Sequence, residues 1–157
     1  MMATFCLKKD KVKNTFQIFG MVIIFLTILV PSSSYGQIKI GDLHKGGIVF
    51  SVDGSGQHGM VCQTEDLGIL DWNEAVAACK ELGDGWALPT IDQLKLLYIN
   101  LHKEDLGSFI NDYYWSATEW SSKEDIKDKA WFENFANGDS DPVSKDRTRY
   151  VRAIRVF

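Results

Sequence analysis

The sequence is poor in cysteine and proline and has no excess of basic residues. Three cysteines in 157 residues are too few for a disulfide-dense scaffold, and three prolines with 13 glycines exclude a collagen-like or proline-rich chain. The formal net charge of −4 gives no sign of a general nucleic-acid binder. The 45% of hydrophobic and 24% of charged residues are typical of a globular protein, and the length favours one domain.

The N-terminal 36 residues differ from the rest of the chain. Four lysines lie between positions 8 and 13, an apolar run of 13 residues fills positions 18–30, and small residues lead up to Gly36. A basic start, a short apolar run and a small-residue exit are typical of a secretory signal peptide. We therefore expect cleavage between Gly36 and Gln37 and a product that is periplasmic, on the cell surface or extracellular.

An uncleaved N-terminal anchor helix is the alternative for this segment. A membrane-spanning helix needs about 20 apolar residues, and the run is shorter than that. We therefore expect no stable membrane span once the signal peptide is removed. Cys6 lies ahead of the apolar run, so no lipid-attachment cysteine stands near the exit.

Residues 37–157 are predicted to form one domain, because no linker, repeat or low-complexity block divides them. They carry 20 acidic and 13 basic residues, and all four arginines lie in residues 147–157. This basic end of an acidic domain predicts arginine–carboxylate pairs inside the fold. Cys62 and Cys79 remain, and the exported compartment permits a disulfide between them. The alternative is two small buried thiols.

Secondary-structure signals divide this domain into a hairpin, two helices and several later strands. Asp53 and Gly54 form a hairpin-turn signal between two β-forming runs. Asp71 and Thr90 each precede an apolar pattern with helical spacing, and each fits a helix cap. Helices grouped between strand runs predict an α+β fold, with two helices packed on a mainly antiparallel sheet. The β-forming runs are residues 47–52, 59–64, 113–118, 130–135 and 150–157.

Four motifs follow one another along the second half of the chain. They are Gly85–Leu94 (GWALPTIDQL), Tyr114–Glu119 (YWSATE), Ala130–Gly138 (AWFENFANG) and Tyr150–Arg155 (YVRAIR). Together and in this order they resemble the Lcl C-terminal domain family, long described as a domain of unknown function. The resemblance extends over nearly all of residues 37–157, and its opening part is similar to the form common in exported bacterial proteins. It implies a C-type-lectin-like fold with the N- and C-terminal strands close together, and it implies no established activity.

The tryptophans and arginines of these motifs have a structural interpretation. We expect Trp86, Trp115 and Trp131 to pack in the core, because aromatic side chains in strands usually pack against their neighbours. Arg152 and Arg155 lie three positions apart in the expected last strand and so point to opposite faces. One of them is expected to pair with a carboxylate and the other to meet solvent.

Metal and cofactor motifs are absent from the sequence. None of the three histidines belongs to a set of Cys and His residues with zinc-ligand spacing, so a zinc motif is absent. Asn137, Asp139 and Asp141 have the oxygen spacing that opens a calcium loop, but Pro142 and Thr148 replace the glycine and glutamate that such a loop needs. The tripeptides that hold calcium in sugar-binding C-type lectins are also missing. We therefore expect a solvated turn here, with no metal and no cofactor.

We also expect no enzymatic activity. Formylglycine-generating enzymes share the broad fold and use reactive cysteines, which makes an enzyme of that type one alternative. However, Cys62 lies in an expected strand and Cys79 on the apolar face of an expected helix, whereas a reactive thiol needs an exposed, electropositive setting. No nucleophile elbow, phosphate loop or nucleotide motif is present.

A binding surface is the remaining candidate for function. Residues 119–129 are too polar for core and too long for a tight turn, and long loops in compact domains are often functional. Trp120 lies in this loop, where it either forms an exposed platform or folds back onto the domain. The leading hypothesis is an exported recognition or adhesion module that binds a glycan or a cell-surface protein; the alternative is a structural cell-envelope protein. The candidate ligand-binding residues are Glu119, Trp120, Asn134 and Asp139.

Overall fold

The computed structural model describes residues 36–121 and 128–157. Apart from Gly36, the expected signal peptide lies outside these residues, as does most of the expected binding loop. Two helices, α1 (Trp72–Glu81) and α2 (Ile91–Asn100), are followed by a short 3-10 helix (His102–Glu104). The strands are β1 (Leu43–His44), β2 (Gly47–Val52), β3 (Gly59–Cys62), β4 (Ile69–Leu70), β5 (Tyr113–Trp120), β6 (Lys129–Asn134), β7 (Ser140–Ser144), β8 (Arg149–Tyr150) and β9 (Ile154–Val156).

The strands form two sheets. One has the order β1-β2-β3-β9, and the other has the order β4-β8-β5-β6-β7. Every pairing is antiparallel except that of β5 with β8. The predicted α+β fold with two helices and mainly antiparallel strands is therefore confirmed. The ring of Phe157, directly after β9, packs against His44 of β1 with centroids 4.5 Å apart, which confirms that the two ends of the domain lie close together.

Both helices begin where the sequence predicts. Asp71 accepts a hydrogen bond from the backbone of Glu74 at 2.9 Å, and Thr90 accepts one from the backbone of Gln93 at 3.3 Å. In each case the third residue bonds back to the cap, which completes a capping box. Among the described residues, no helix has the length and hydropathy that a membrane crossing requires.

The prediction of a single last strand over residues 150–157 is wrong. The chain leaves one sheet after Tyr150 and enters the other at Ile154. The three residues between, Val151, Arg152 and Ala153, are all buried. The run looks like one strand in the sequence because it is uniformly β-forming, but its middle crosses between the two sheets.

Two clusters of buried apolar side chains form the core. Cys79 lies in the first cluster with Trp86 and Trp115, whereas Cys62 lies in the second with residues of α2. Both cysteines are free. Of the two alternatives left open by the sequence, the structure therefore has two small buried thiols and not the Cys62–Cys79 disulfide, because the two side chains belong to different clusters.

The motifs that carry the family resemblance contact one another inside the fold. The backbone N–H of Ala117 donates to the carbonyl of Pro89 at 2.7 Å, and the N–H of Ile91 donates to the hydroxyl of Thr118 at 3.0 Å. Ala87 forms a β-bridge with Ile154. These bonds join the Gly85–Leu94 motif to two of the others, so the motifs build the scaffold on which any site is placed.

Candidate functional site

The expected 119–129 loop is shorter than predicted, because strands occupy both of its ends. Glu119 and Trp120 belong to β5 and Lys129 belongs to β6, with Trp120 opposite Lys129. Residues 122–127 are outside the described part of the chain. The described part of the expected site is therefore the end of a hairpin.

A bulge in β5 sets the pairing register of Trp120. Trp115 lies opposite Phe132, but Glu119 lies opposite Ala130, so β5 holds two extra residues between these pairs. Past the bulge, Trp120 lies on the same face as Trp131. The two rings meet edge to face, with centroids 5.5 Å apart and an angle of 74° between planes.

Trp120 is neither a free platform nor fully folded back. It rests against Trp131 and still exposes 36% of its surface. Trp131 is only half-buried and lies outside both core clusters, which corrects the expectation that it packs in the core; Trp86 and Trp115 do so as expected. The reason is the alternation of side chains along β6, in which Ala130 points into the first core cluster and Trp131 points to the other face, where it meets Trp120.

Lys145 joins the two sides of this hairpin end. Its buried ammonium lies 2.8 Å from a carboxylate oxygen of Glu119, 2.5 Å from one of Asp128 and 4.0 Å from the centroid of the Trp72 ring. Burial alone would lower the pKa of Lys145, but the two carboxylates that it bonds raise the pKa above its usual value. The lysine therefore stays charged and holds Glu119 in place.

A cleft of about 620 Å³ adjoins Lys145. Its walls include Asp71, Asn73 and Asp128, and Arg147 adds a second basic group. We call Glu119, Trp120, Asp128, Trp131 and Lys145, together with this cleft, the hairpin-end surface. It combines a partly exposed tryptophan with fixed charges of both signs.

Asn134 and Asp139 do not belong to this surface. They face each other across the turn between β6 and β7, where the N–H of Asn134 donates to the carbonyl of Asp139 at 2.7 Å. Their side chains also bond within the turn, to the backbone of Ala136 and to the side-chain amide of Asn137. Since β6 spans about 16 Å, the four candidate residues lie at opposite ends of the hairpin and form no single site.

A second cleft, which the sequence analysis missed, lies near that turn. Four aromatic side chains, Tyr98, His102, Phe109 and Phe135, line a space of about 400 Å³. We call it the aromatic cleft. Tyr98 and His102 are four positions apart and so share one side of the helical segment, which is the one sequence signal that points to it. The other two rings come from distant parts of the chain and reach the cleft only through the fold.

The arginines of the last segment behave only partly as expected. Arg152 is buried and pairs with Asp66 at 2.6 Å, which confirms an arginine–carboxylate pair inside the fold. Arg155 is half-buried over the ring of Trp86, and Arg149 packs against Tyr113 and Phe132. For these two, aromatic rings take the place of the expected carboxylate or solvent.

The two cysteines have the wrong environment for covalent catalysis. Burial raises the pKa of Cys62 to about 11 and that of Cys79 to about 12. Both thiols are therefore protonated at neutral pH, whereas the nucleophile in thiol chemistry is the thiolate. In residues 36–121 and 128–157, no group of three or more His, Cys, Asp or Glu side chains is placed to hold a metal ion.

Comparison with known proteins gives one family match. The sequence profile of the Lcl C-terminal domain matches residues 53–155. No curated protein matches the chain.

Similar solved structures include the complex of the von Willebrand factor mutant (I546V) A1 domain with botrocetin. The matched chain there is 13% identical, with a TM-score of 0.45, and the match covers 73% of this chain and 98% of that one. The crystal structure of botrocetin is also 13% identical, with a TM-score of 0.43 and coverage of 74% and 98%. At this identity, each similarity concerns the fold alone.

Proposed function

The chain belongs to the Lcl C-terminal domain family, and we propose that it acts as an exported, non-enzymatic recognition or adhesion module. Its ligand is a glycan or a cell-surface protein, which it binds through the hairpin-end surface. Export follows from the basic, apolar and small-residue order of residues 1–36. The working form is then residues 37–157, which contain the whole matched region.

One observation carries the binding proposal, namely the exposure of Trp120 beside fixed charges. A tryptophan that is partly exposed and supported from behind by Trp131 offers apolar area at little cost in side-chain freedom. Lys145 bonds one carboxylate oxygen of Glu119. The Glu119 side chain is still 62% exposed and can contact a ligand. Aromatic centres with polar surroundings are typical of recognition surfaces.

The position of the family motifs supports the same proposal. The motif residues that contact one another form the bonds that join β5, β9 and the start of α2. These bonds account for the fold, whereas Glu119 and Trp131, which belong to the motifs but take no part in these bonds, remain available to the hairpin-end surface. The protonated state of both buried thiols favours recognition over thiol chemistry.

The test is a binding screen followed by one substitution with a matched control. The exported chain is screened against glycans and cell-envelope proteins, and each ligand found is titrated against Trp120→Ala and Tyr113→Ala. Tyr113 is the control because it is an aromatic residue of the same strand with similar exposure, 39% against 36%.

We expect Trp120→Ala to weaken binding at least about tenfold, which is the range of an interface hot spot. Tyr113→Ala should leave the affinity unchanged. Equal affinity of the Trp120→Ala variant and the parent, or equal losses in both variants, would remove the hairpin-end surface as the binding site.

A further inference from the structure

The aromatic cleft has the features of a second binding site, separate from the hairpin-end surface. Its floor is a cluster of rings in which His102 is central, with centroids 5.6 Å from Tyr98, 5.3 Å from Phe135 and 6.3 Å from Phe109. Phe135 is buried, whereas the other three rings are half-buried and keep part of their surface open. The volume of about 400 Å³ is in the range of small-molecule sites.

His102 has unused hydrogen-bonding capacity in this cleft. Within the described part of the chain, its imidazole contacts three rings and forms no hydrogen bond. Its nitrogens are also not among the buried atoms that lack a partner, so they reach the open space. An imidazole nitrogen can donate to or accept from a hydroxyl group, depending on the tautomer, so His102 can bond a hydroxyl group of a ligand in the cleft.

The rim of the cleft has groups of both charges. Lys103 and Asp105 contribute one positive and one negative side chain, and Ser108 and Asn111 add neutral groups that donate and accept. The balance of charge favours an uncharged ligand, because an anion would meet Asp105 and a cation would meet Lys103. Many donors and acceptors around an aromatic floor suit a ligand with one apolar face and hydroxyl groups at its edge.

The rim loop is held in one conformation. Arg152 donates to the carbonyl of Gly107 at 2.8 Å, and the N–H of Ile110 donates to the Tyr114 hydroxyl at 2.9 Å. Asp105 and Ser108 have φ angles of 56° and 50°, a left-handed conformation that costs energy in residues other than glycine. Because contacts with the core hold this loop, ordering it when a ligand binds costs little free energy.

We propose that the aromatic cleft binds the ring of a neutral pyranose sugar. The apolar face of the sugar lies on the aromatic floor, His102 bonds one of its hydroxyl groups, and the rim bonds those that remain. This site is independent of the proposed function, because it shares no residue with the hairpin-end surface.

The test uses the chain as it is recovered from the expressing cells. Methyl glucopyranoside, methyl galactopyranoside and methyl mannopyranoside are titrated at millimolar concentrations, with methyl glucuronide as the charged counterpart. Saturation-transfer NMR reports binding. The test variant is His102→Phe, which keeps an aromatic ring and removes both nitrogens. Tyr113→Ala, an exposed aromatic substitution outside both surfaces, is the control, and Trp120→Ala reports any sugar bound at the hairpin-end surface.

We expect at least one neutral glycoside to bind, methyl glucuronide to bind more weakly, and His102→Phe to reduce the affinity about tenfold while Tyr113→Ala leaves it unchanged. Asn111→Ala, a substitution at the exposed rim, should also weaken binding. It replaces His102→Phe as the test variant if His102→Phe fails to fold. Absence of binding by all three neutral glycosides, or equal binding of the glucuronide, would overturn the proposal. Loss through Trp120→Ala with none through His102→Phe would overturn it too, and would instead support a sugar at the hairpin-end surface.

Discussion

At the scale of single residues, Arg152 connects more of the molecule than any motif pattern indicates. Its guanidinium pairs with Asp66, donates to the carbonyls of Gln63 and Gly107, and lies 4.1 Å from the ring of Phe109. Asp66 uses its second oxygen to accept from the Tyr114 hydroxyl. One side chain thus ties the segment after β3 to the rim of the aromatic cleft.

Replacing Arg152 by Met should lower the free energy of unfolding by about 3–5 kcal/mol, because the change leaves Asp66 and several carbonyls without their donor. Urea denaturation measures the loss. Arg147→Ala is the matched control, since Arg147 is an exposed arginine of the same segment, and its effect should be within about 0.5 kcal/mol. Similar small losses in both variants would contradict the central role of Arg152.

The sequence predicted an arginine–carboxylate pair but could not identify its members. Arg152 and Asp66 are 86 positions apart, and nothing in the local pattern distinguishes Asp66 from the other acidic residues. The pairing of Arg155 with Trp86 also joins distant parts of the sequence. Such contacts follow from which strands become neighbours, and a local pattern carries no information on that.

At the scale of elements, the bulge in β5 explains how the second helix is fixed to the sheet. The residues that bulge out present the N–H of Ala117 to Pro89 and the hydroxyl of Thr118 to Ile91. The start of α2 thereby gains a partner for an N–H that no residue within the helix can bond. The cap at Thr90 was predictable from the sequence, but this second attachment was not, because a bulge depends on the pairing register.

Thr118→Val removes that attachment at nearly constant volume. We expect a loss of about 1–3 kcal/mol in the free energy of unfolding, the usual cost of leaving a buried N–H without an acceptor. The control is Thr64→Val, because Thr64 is exposed and its hydroxyl forms no hydrogen bond with the described residues. Equal free energies of unfolding for the two variants, measured by thermal or urea unfolding, would show that the hydroxyl of Thr118 does not hold the helix.

The residues predicted to form one binding site separate into two groups because of how the strands are arranged. Trp120 and Asn134 each lie at an end of the β5–β6 hairpin, and the strand between them keeps their side chains far apart. The sequence placed both near turns, which is correct, but turns at opposite ends of a hairpin are adjacent only in the written sequence. The aromatic cleft was missed for the converse reason, because Phe109 and Phe135 meet His102 only in three dimensions.

At the scale of the whole molecule, the order of elements was enough to predict the α+β class. It was not enough to predict two sheets, since the division depends on the crossing between Tyr150 and Ile154. The core also consists of two clusters, each of which contains one cysteine. Cys79 and Cys62 are therefore natural reporters for the two halves of the core.

The two clusters should open together, because Trp86 in one and Ile154 in the other belong to segments joined by the bridge at Ala87. The prediction uses Cys62→Ala and Cys79→Ala, each in a Cys6→Ser background, so that one thiol remains. With a pKa near 11 or 12 and no exposure, each thiol should be unreactive toward a disulfide reagent until the chain unfolds. In each variant, the urea midpoint of thiol reaction should then equal the midpoint of tryptophan fluorescence.

The raised pKa values add a pH dependence whose direction follows from proton linkage. Between the ordinary thiol pKa of 9.0 and the folded-state values, the folded chain holds protons that the unfolded chain has lost. The free energy of unfolding should therefore be unaffected by the thiols below pH 9 and should fall as the pH rises above it.

If one thiol reacts at a lower urea concentration than the fluorescence midpoint of its own variant, its cluster opens separately, and the two halves are not one cooperative unit.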